Sequence, residues 1–358
     1  MRTILLNPGP VTLSRRVRQA LQREDLCHRE PEFAALQNRI REKLLKVYLL
    51  DQDKWAAALM TGSGTAAVES MITTLVPANG KLLVAQNGVY GERMTQIADR
   101  YAIANATITA PWGAPIDSEA VARALEADPA ITHVAVVHHE TTTGRLNELD
   151  PLGAVCREHG VAMLLDAVSS FGAEAIDFDR WPLAACAATA NKCLHGVPGT
   201  CFVIARRSAL EKAAPRSLYL DLAIYVSAQD QSGTPFTQSV QTFYALDEAL
   251  DELAEAGGVD GRRARYQNCM RRIRSALREL GVKPLLDDDE SSCVLRAYEI
   301  PEHADYDELH DRLKSAGFII YAGQGAYAGD MFRISMMGDI SDKDVERLVE
   351  ALATALGR

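Results

Sequence analysis

The sequence has no apolar run that approaches the ~20 residues required to cross a bilayer. Its amino end, "MRTILLNPGP", contains too short an apolar segment for a secretory signal peptide and then meets two prolines. It also contains no internal repeat and no low-complexity tract. We therefore expect a soluble globular protein that has no membrane partner.

Basic residues are too few for a nucleic-acid-binding surface. Lys and Arg number 38 against 48 Asp and Glu, which gives a net charge of −10, whereas nucleic-acid-binding domains are usually basic. One Arg-rich stretch spans residues 261–280, but its apolar residues recur at helical spacing. The arginines are thus expected on the solvated face of an amphipathic helix, and no nucleic-acid partner is predicted.

The seven cysteines form no C-x-x-C pair, are odd in number and are scattered through apolar or helical segments. This pattern favours a reducing, cytoplasmic compartment. His138, His139 and Glu140 do not have the spacing of a helical metal motif, so we interpret them as structural and expect no metal site.

Nucleotide-binding motifs are missing as well. No Gly-Lys-Ser/Thr follows the glycine-bracketed segment "TGSGTAAVES" (61–70), and no G-x-G-x-x-G is present. The second absence argues against a nicotinamide-dependent oxidoreductase, which is the alternative from a different enzyme class. A non-enzymatic binding module on the same fold is a further alternative.

From about residue 56 to 205, short apolar β-like runs alternate with helical patterns. Such alternation predicts an α/β fold whose large, mostly parallel sheet is covered on both faces. The pattern after the Gly257–Gly258 pair predicts a smaller C-terminal α+β domain. We expect a large domain over residues 16–256 and a small domain formed by residues 1–15 and 257–358.

Ligands of open parallel sheets bind outside the carboxyl ends of the strands, so residues that follow the apolar runs are candidates. Ser63 and Thr65 begin a helical segment, where hydroxyls and free N–H groups can hold a phosphate or can simply cap the helix. Tyr90 lies between Gly88 and Gly91, as a turn residue or as a ring that stacks on an aromatic ligand.

Two charged residues stand out in apolar surroundings. Asp166 ends a run of apolar residues, where a carboxylate is costly unless a cation faces it. Lys192, in "TANKCLHG", either extends along the surface to water or forms a Schiff base with a carbonyl cofactor. Together they supply the amine and the carboxylate that a pyridoxal phosphate site requires.

Across essentially its whole length the chain resembles the class V (fold-type I) pyridoxal-phosphate aminotransferases. The resemblance is carried, in order, by "LLNPGPV", "DLCHREPEF", "GSGTAAVES", "NGVYGERM", "HHETTTG", "LLDAVSSFGA" and "TANKCLHGVPG". It implies pyridoxal 5'-phosphate as cofactor, attached to Lys192, with Asp166 on the pyridine nitrogen and Tyr90 stacked on the ring.

The resemblance also implies roles for further residues. The expected cofactor contacts are Ser63, Gly64 and Thr65 at the phosphate, Thr141 beside the ring oxygen, Val168 at the ring, and Thr237 at the phosphate of the neighbouring subunit. A homodimer with shared active sites follows from the last of these. Arg333 is expected to bind an acidic group of the substrate, and Gly9 in the amino-terminal segment is expected to contribute to the same subsite.

The substrates implied by the resemblance are 2-aminoethylphosphonate as the amino donor and pyruvate as the acceptor. An enzyme of alanine–glyoxylate or phosphonopyruvate type is the alternative within the family, because the same catalytic residues would serve it. The 322–330 loop departs from the family pattern: Ala322 and the Gly325–Ala326 pair stand where a proline and a more basic stretch are expected.

Overall fold

The computed structural model describes residues 2–357, apart from the side chain of Ala326. The strands are β1 (Ile4–Leu5), β2 (Trp55–Gly62), β3 (Lys81–Gln86), β4 (Asn105–Thr109), β5 (Ile131–Val137), β6 (His139–Glu140), β7 (Arg145–Leu146), β8 (Ala162–Asp166), β9 (Leu183–Thr189), β10 (Gly199–Arg206), β11 (Leu295–Glu299), β12 (Phe318–Ile319), β13 (Tyr321–Ala322) and β14 (Met331–Ser335).

The α-helices lie between these strands and after them. They are α1 (Arg15–Ala20), α2 (Pro31–Lys46), α3 (Gly64–Leu75), α4 (Val89–Arg100), α5 (Ser118–Ala127), α6 (Asp150–Glu158), α7 (Arg207–Leu210), α8 (Leu222–Asp230), α9 (Val240–Glu255), α10 (Gly258–Glu279), α11 (Tyr306–Ser315) and α12 (Asp342–Ala355).

The principal sheet of the described chain has seven strands in the order β2-β10-β9-β8-β5-β3-β4. All neighbouring pairs are parallel except the two that involve β10. The crossover connections place α-helices on both faces, so alternate residues of one strand enter different cores: Ala57 and Leu59 of β2 belong to one apolar cluster, and Ala58 and Met60 to another. The α/β prediction with a mostly parallel sheet is confirmed.

A smaller α+β unit follows the principal sheet. Its antiparallel sheet has the order β11-β14-β13, and α10, α11 and α12 supply apolar residues to the core beneath it. The amino-terminal strand β1 pairs in parallel with β12, so Ile4 and Leu6 join this core. The proposed boundaries at residues 15 and 256 remain predictions, although this pairing shows why the amino terminus packs with the carboxyl-terminal part.

Two local features differ from the sequence pattern. Strand β4, with the sequence "NATIT", is not one of the apolar runs seen in the sequence. It is an edge strand whose residues are half-buried or exposed, so it needs no apolar run. Helix α1 is short and ends at Ala20, although the sequence from Ser14 to Asp25 contains neither Gly nor Pro. None of the helices within residues 2–357 is long and apolar enough to cross a membrane.

Candidate functional site

The candidate site lies at the carboxyl edge of the parallel strands, where Asp166 is the last residue of β8. Its side chain is buried, and its Oδ1 accepts a hydrogen bond of 2.9 Å from the Val168 N–H. Burial raises the pKa of the Asp166 carboxyl to about 6, although the Val168 N–H and the Lys192 charge oppose this shift. A buried carboxylate of this kind is stabilised by a cation placed against it.

Lys192 follows the neighbouring strand β9 by three residues and is partly buried. Burial lowers the pKa of its amine to about 8, so the neutral, nucleophilic form is accessible near neutral pH. The amine donates a hydrogen bond to the Pro8 carbonyl. The charge of each group shifts the pKa of the other, in agreement with their positions at the ends of the adjacent parallel strands β8 and β9.

The amino-terminal segment covers Lys192. Gly9 adopts a φ of +96°, and a Cβ at this position would lie 2.9 Å from the Asn191 carbonyl oxygen and 3.0 Å from the Lys192 Cδ. Only glycine therefore fits here without displacing the lysine. The structure thus places Gly9 beside Lys192, and its contact with the substrate stays a prediction.

The segment from Ser63 to Thr65 forms the amino terminus of α3. Ser63 is the N-cap residue, yet its side chain makes no hydrogen bond to the helix it begins. Its hydroxyl is therefore available to a ligand, as are the first N–H groups of the helix. A Cβ on Gly64 would lie 2.7 Å from Val168 Cγ1, so the glycine allows Val168 to approach this turn closely.

Tyr90 lies in the first turn of α4, and a buried glutamate fixes that turn. Glu140 accepts hydrogen bonds from the Tyr90 N–H at 3.1 Å, the Thr142 N–H at 3.2 Å and the Thr142 hydroxyl at 2.6 Å. A Cβ on Gly88 would lie 2.4 Å from the Glu140 Cδ and Cγ atoms. Burial raises the pKa of the Glu140 carboxyl to about 7. Glu140 thus positions Tyr90.

Arg333 comes from β14 of the small sheet and is 2% exposed. Its Nη1 donates to the Thr141 carbonyl at 2.9 Å, and its Nε donates to the Ala322 carbonyl at 3.0 Å. The guanidinium thus joins the small sheet to the segment that follows β5. Its charge also lowers the pKa of the Lys192 amine.

The two histidines before Glu140 have structural partners. His138 Nδ1 pairs with the Ser170 hydroxyl at 3.0 Å, and His139 Nδ1 lies 3.2 Å from the Ser169 carbonyl. Burial lowers the pKa of His138 to about 3 and that of His139 to about 4. Both rings are therefore neutral near pH 7.

Thr237 differs from the other predicted site residues. It is exposed, and it forms no side-chain hydrogen bond with any residue of the described chain. Its neighbours Gln238 and Ser239 contact the Thr61 hydroxyl, each at 2.9 Å, just before the Ser63 turn. Within one chain, the structure leaves the Thr237 side chain free for a contact outside it.

The residues present fit pyridoxal 5'-phosphate. The pocket offers an amine of lowered pKa for an aldehyde, a buried carboxylate for a ring nitrogen and a ring in Tyr90 for stacking. The Ser63 hydroxyl, which does not cap α3, and the N–H groups at the start of that helix suit a phosphate. Sequence reasoning did not identify Glu140 as a site residue, although Glu140 follows an apolar strand as Asp166 does.

Comparisons with known proteins agree with this geometry. The family described as Aminotransferase class-V matches residues 17–348. A 2-aminoethylphosphonate–pyruvate transaminase of Vibrio vulnificus (strain CMCP6) is 39% identical over 99% of this chain and 97% of its own length. Another 2-aminoethylphosphonate–pyruvate transaminase, from Bacillus cereus (strain ATCC 10987 / NRS 248), is 36% identical over 98% of this chain and 97% of its own length.

A solved structure shares the fold over nearly the whole chain. The alanine–glyoxylate aminotransferase of Nostoc sp. superposes with a TM-score of 0.92 and 28% identity, covering 99% of this chain and 96% of that one. Together with the family match and the two relatives, this agreement shows that the chain belongs to the class V aminotransferase family.

Proposed function

We propose that this pyridoxal-phosphate-dependent aminotransferase moves the amino group of 2-aminoethylphosphonate to pyruvate, giving phosphonoacetaldehyde and L-alanine. The observation that carries the proposal is the full-length similarity, at 36–39% identity, to relatives that bear this activity in their names. The buried Arg333 guanidinium agrees with it, because phosphonate and carboxylate are both anions that a guanidinium binds in a bidentate way.

The cofactor, when bound, supplies an aldehyde that exchanges amines and a pyridinium ring that withdraws electrons from the substrate carbon. Lys192 would hold it covalently until the substrate amine takes its place. The released lysine amine, with a pKa of about 8, would serve as the base that takes the proton from the carbon bearing the substrate nitrogen and as the acid that gives it back. Asp166 would keep the ring nitrogen protonated through an ion pair at the floor of the pocket.

The other site residues bind and orient. Tyr90 would stack on the ring, with Glu140 fixing its backbone. Ser63, Gly64 and Thr65 would hold the phosphate, Thr141 and Val168 would contact the ring, and Gly9 would close the pocket over Lys192. Arg333 would bind the acidic end of each substrate in turn, which suits a ping-pong cycle in which donor and acceptor use one subsite.

The active unit in this proposal is a homodimer. Thr237 would reach the phosphate in the neighbouring subunit, and its exposed position within one chain supports that role. The cytoplasm is the proposed compartment, supported by seven unpaired cysteines, six of which are buried thiols. Size-exclusion chromatography with light scattering tests the dimer, and a Thr237→Ala variant that kept the parent's affinity for pyridoxal phosphate would contradict the shared site.

The function is tested with the purified protein and pyruvate as acceptor. A panel of donors, containing 2-aminoethylphosphonate, serine and 2-amino-3-phosphonopropionate, is incubated with the yellow holoenzyme and pyruvate, and alanine is quantified; alanine itself is tested as donor with glyoxylate as acceptor, and glycine is quantified. We expect the highest kcat/KM for 2-aminoethylphosphonate. Preference for another donor would replace the proposed substrate with an alternative of the same family, and failure to bind the cofactor would refute the whole proposal.

A further inference from the structure

Arg93 lies in the second turn of α4, three residues after Tyr90, and none of the roles above uses it. Its guanidinium carbon lies 4.9 Å from the centroid of the Tyr90 ring. Its Nη1 lies 3.4 Å from the Thr65 Oγ1. The residue therefore connects the aromatic ring proposed for stacking with a hydroxyl of the proposed phosphate cradle, which is formed by Ser63, Gly64 and Thr65.

The Arg93 guanidinium has no acidic partner. In the described part of the chain, no Asp or Glu oxygen lies within 4.0 Å of it, although it is partly buried. Two of the four buried arginines of the described chain have such a partner, Arg145 in Glu290 and Arg296 in Asp288. The Arg93 guanidinium is therefore free to pair with a bound anion.

The phosphate cradle, in turn, has too little positive charge of its own. A phosphate monoester carries about 1.5 to 2 negative charges at pH 7, while a helix amino terminus contributes roughly half a positive charge. Ser63 and Thr65 donate neutral hydroxyls. The other two cations of the site have other proposed partners: Lys192 would bind the cofactor aldehyde, and Arg333, which donates to two backbone carbonyls, would use its remaining donors for the substrate anion.

We infer that Arg93 is the cation that neutralises the phosphate of the bound cofactor, using the guanidinium edge that faces Thr65, while its flat face orients the Tyr90 ring. The inference rests on the proposed function, since it requires pyridoxal phosphate at the site. The charge of Arg93 also acts on the other charged groups of the site: it lowers the pKa of both the Asp166 carboxyl and the Lys192 amine.

Binding of two cofactor forms separates this role from a purely structural one. Pyridoxal has the same ring and aldehyde as pyridoxal phosphate but no phosphate group. The full-length chain, freed of cofactor by dialysis, is titrated with each compound, and the dissociation constant is measured from the absorbance of the bound form. Arg93→Gln removes the charge, Arg93→Lys keeps it without the fork, and Arg100→Gln on the exposed end of α4 is the control.

We expect Arg93→Gln to weaken pyridoxal phosphate binding by roughly 10- to 100-fold and pyridoxal binding by about twofold or less. Arg93→Lys should lie between the parent and Arg93→Gln, and Arg100→Gln should match the parent. The parent's affinity for pyridoxal phosphate should fall as salt is added, and that dependence should be smaller in Arg93→Gln.

Two results would overturn the inference. Equal weakening of both compounds by Arg93→Gln would mean that Arg93 acts only through the Tyr90 ring, and an unchanged affinity for pyridoxal phosphate would remove it from the site. If the parent itself binds neither compound, the proposed function fails instead, so the two failures are distinguishable.

Discussion

Replacing Arg333 with lysine tests how the proposed substrate anion is bound. The guanidinium carries five N–H donors, and two of them are occupied by the Thr141 and Ala322 carbonyls at 2.9 and 3.0 Å. Three donors remain for a substrate anion, enough for a bidentate contact. The lysine ammonium carries three donors on a single atom, so after both carbonyls are satisfied one donor is left.

The expected loss follows from this count. Replacing a bidentate, charge-assisted contact by a single one removes roughly 2–4 kcal/mol of transition-state stabilisation in a dry pocket. Arg333 is 2% exposed, so water does not compensate the missing donors. This free energy corresponds to a fall of roughly 30- to 1,000-fold in kcat/KM. Both half-reactions should weaken together if one guanidinium serves donor and acceptor in turn.

Steady-state kinetics with each substrate varied measures this effect. The control is Arg296→Lys, since Arg296 is a similarly buried arginine on the adjacent strand whose partner is Asp288 rather than the site. An unchanged kcat/KM for both substrates would remove Arg333 from the site. A loss confined to pyruvate would mean that the phosphonate is bound elsewhere, which favours a different donor.

Three further substitutions test the remaining chemistry. Lys192→Ala should abolish amino transfer. It should also raise the free energy of unfolding of the cofactor-free protein at pH 7, measured by urea titration, by roughly 1–3 kcal/mol. Because the pKa of the amine is about 8 in the folded protein and 10.5 in its unperturbed state, this gain in stability should vanish as the pH rises from 8 to 10.5. Residual turnover above background would reject its role. Asp166→Asn should retain the cofactor but slow proton abstraction by roughly two to four orders of magnitude in stopped-flow absorbance, and a rate within about tenfold of the parent would make Asp166 an ordinary buried residue. Gly64→Ala should lower the free energy of unfolding by roughly 1–3 kcal/mol, since its Cβ would meet Val168 Cγ1 at 2.7 Å, and an unchanged Tm would show that Val168 moves freely.

The sequence allows the site to be predicted wherever a charged side chain directly follows an apolar strand. Asp166 ends β8 and Lys192 follows β9, so the carboxyl edge of a parallel sheet brings them together without further information. Thr141 is different, because the structure uses its backbone carbonyl to hold Arg333. A carbonyl is present at every position, so no residue type could indicate that contact.

Arg93 shows why a cation that serves a binding site is hard to recognise from the sequence when it lies in an amphipathic helix. A charged residue in an amphipathic helix is normally on the solvated face, and Arg93 lies in a helix whose sequence fits that pattern. Its position beside the pocket follows from the first turn of α4, which Glu140 fixes against Gly88. The edge strand β4 escaped prediction for a related reason, since its residues are half exposed and lack an apolar run.

The opposite pKa shifts of Asp166 and Lys192 have one main cause, which is the burial of both groups. Burial raises the pKa of the carboxyl to about 6 and lowers that of the amine to about 8, so both charged forms are disfavoured in the pocket. A protonated ring nitrogen against Asp166 would favour its ionised form, and covalent engagement of Lys192 would remove the cost of a buried ammonium. The same burial thus makes the lysine nucleophilic and favours the bound cofactor, because a ligand that binds the folded state alone also stabilises it.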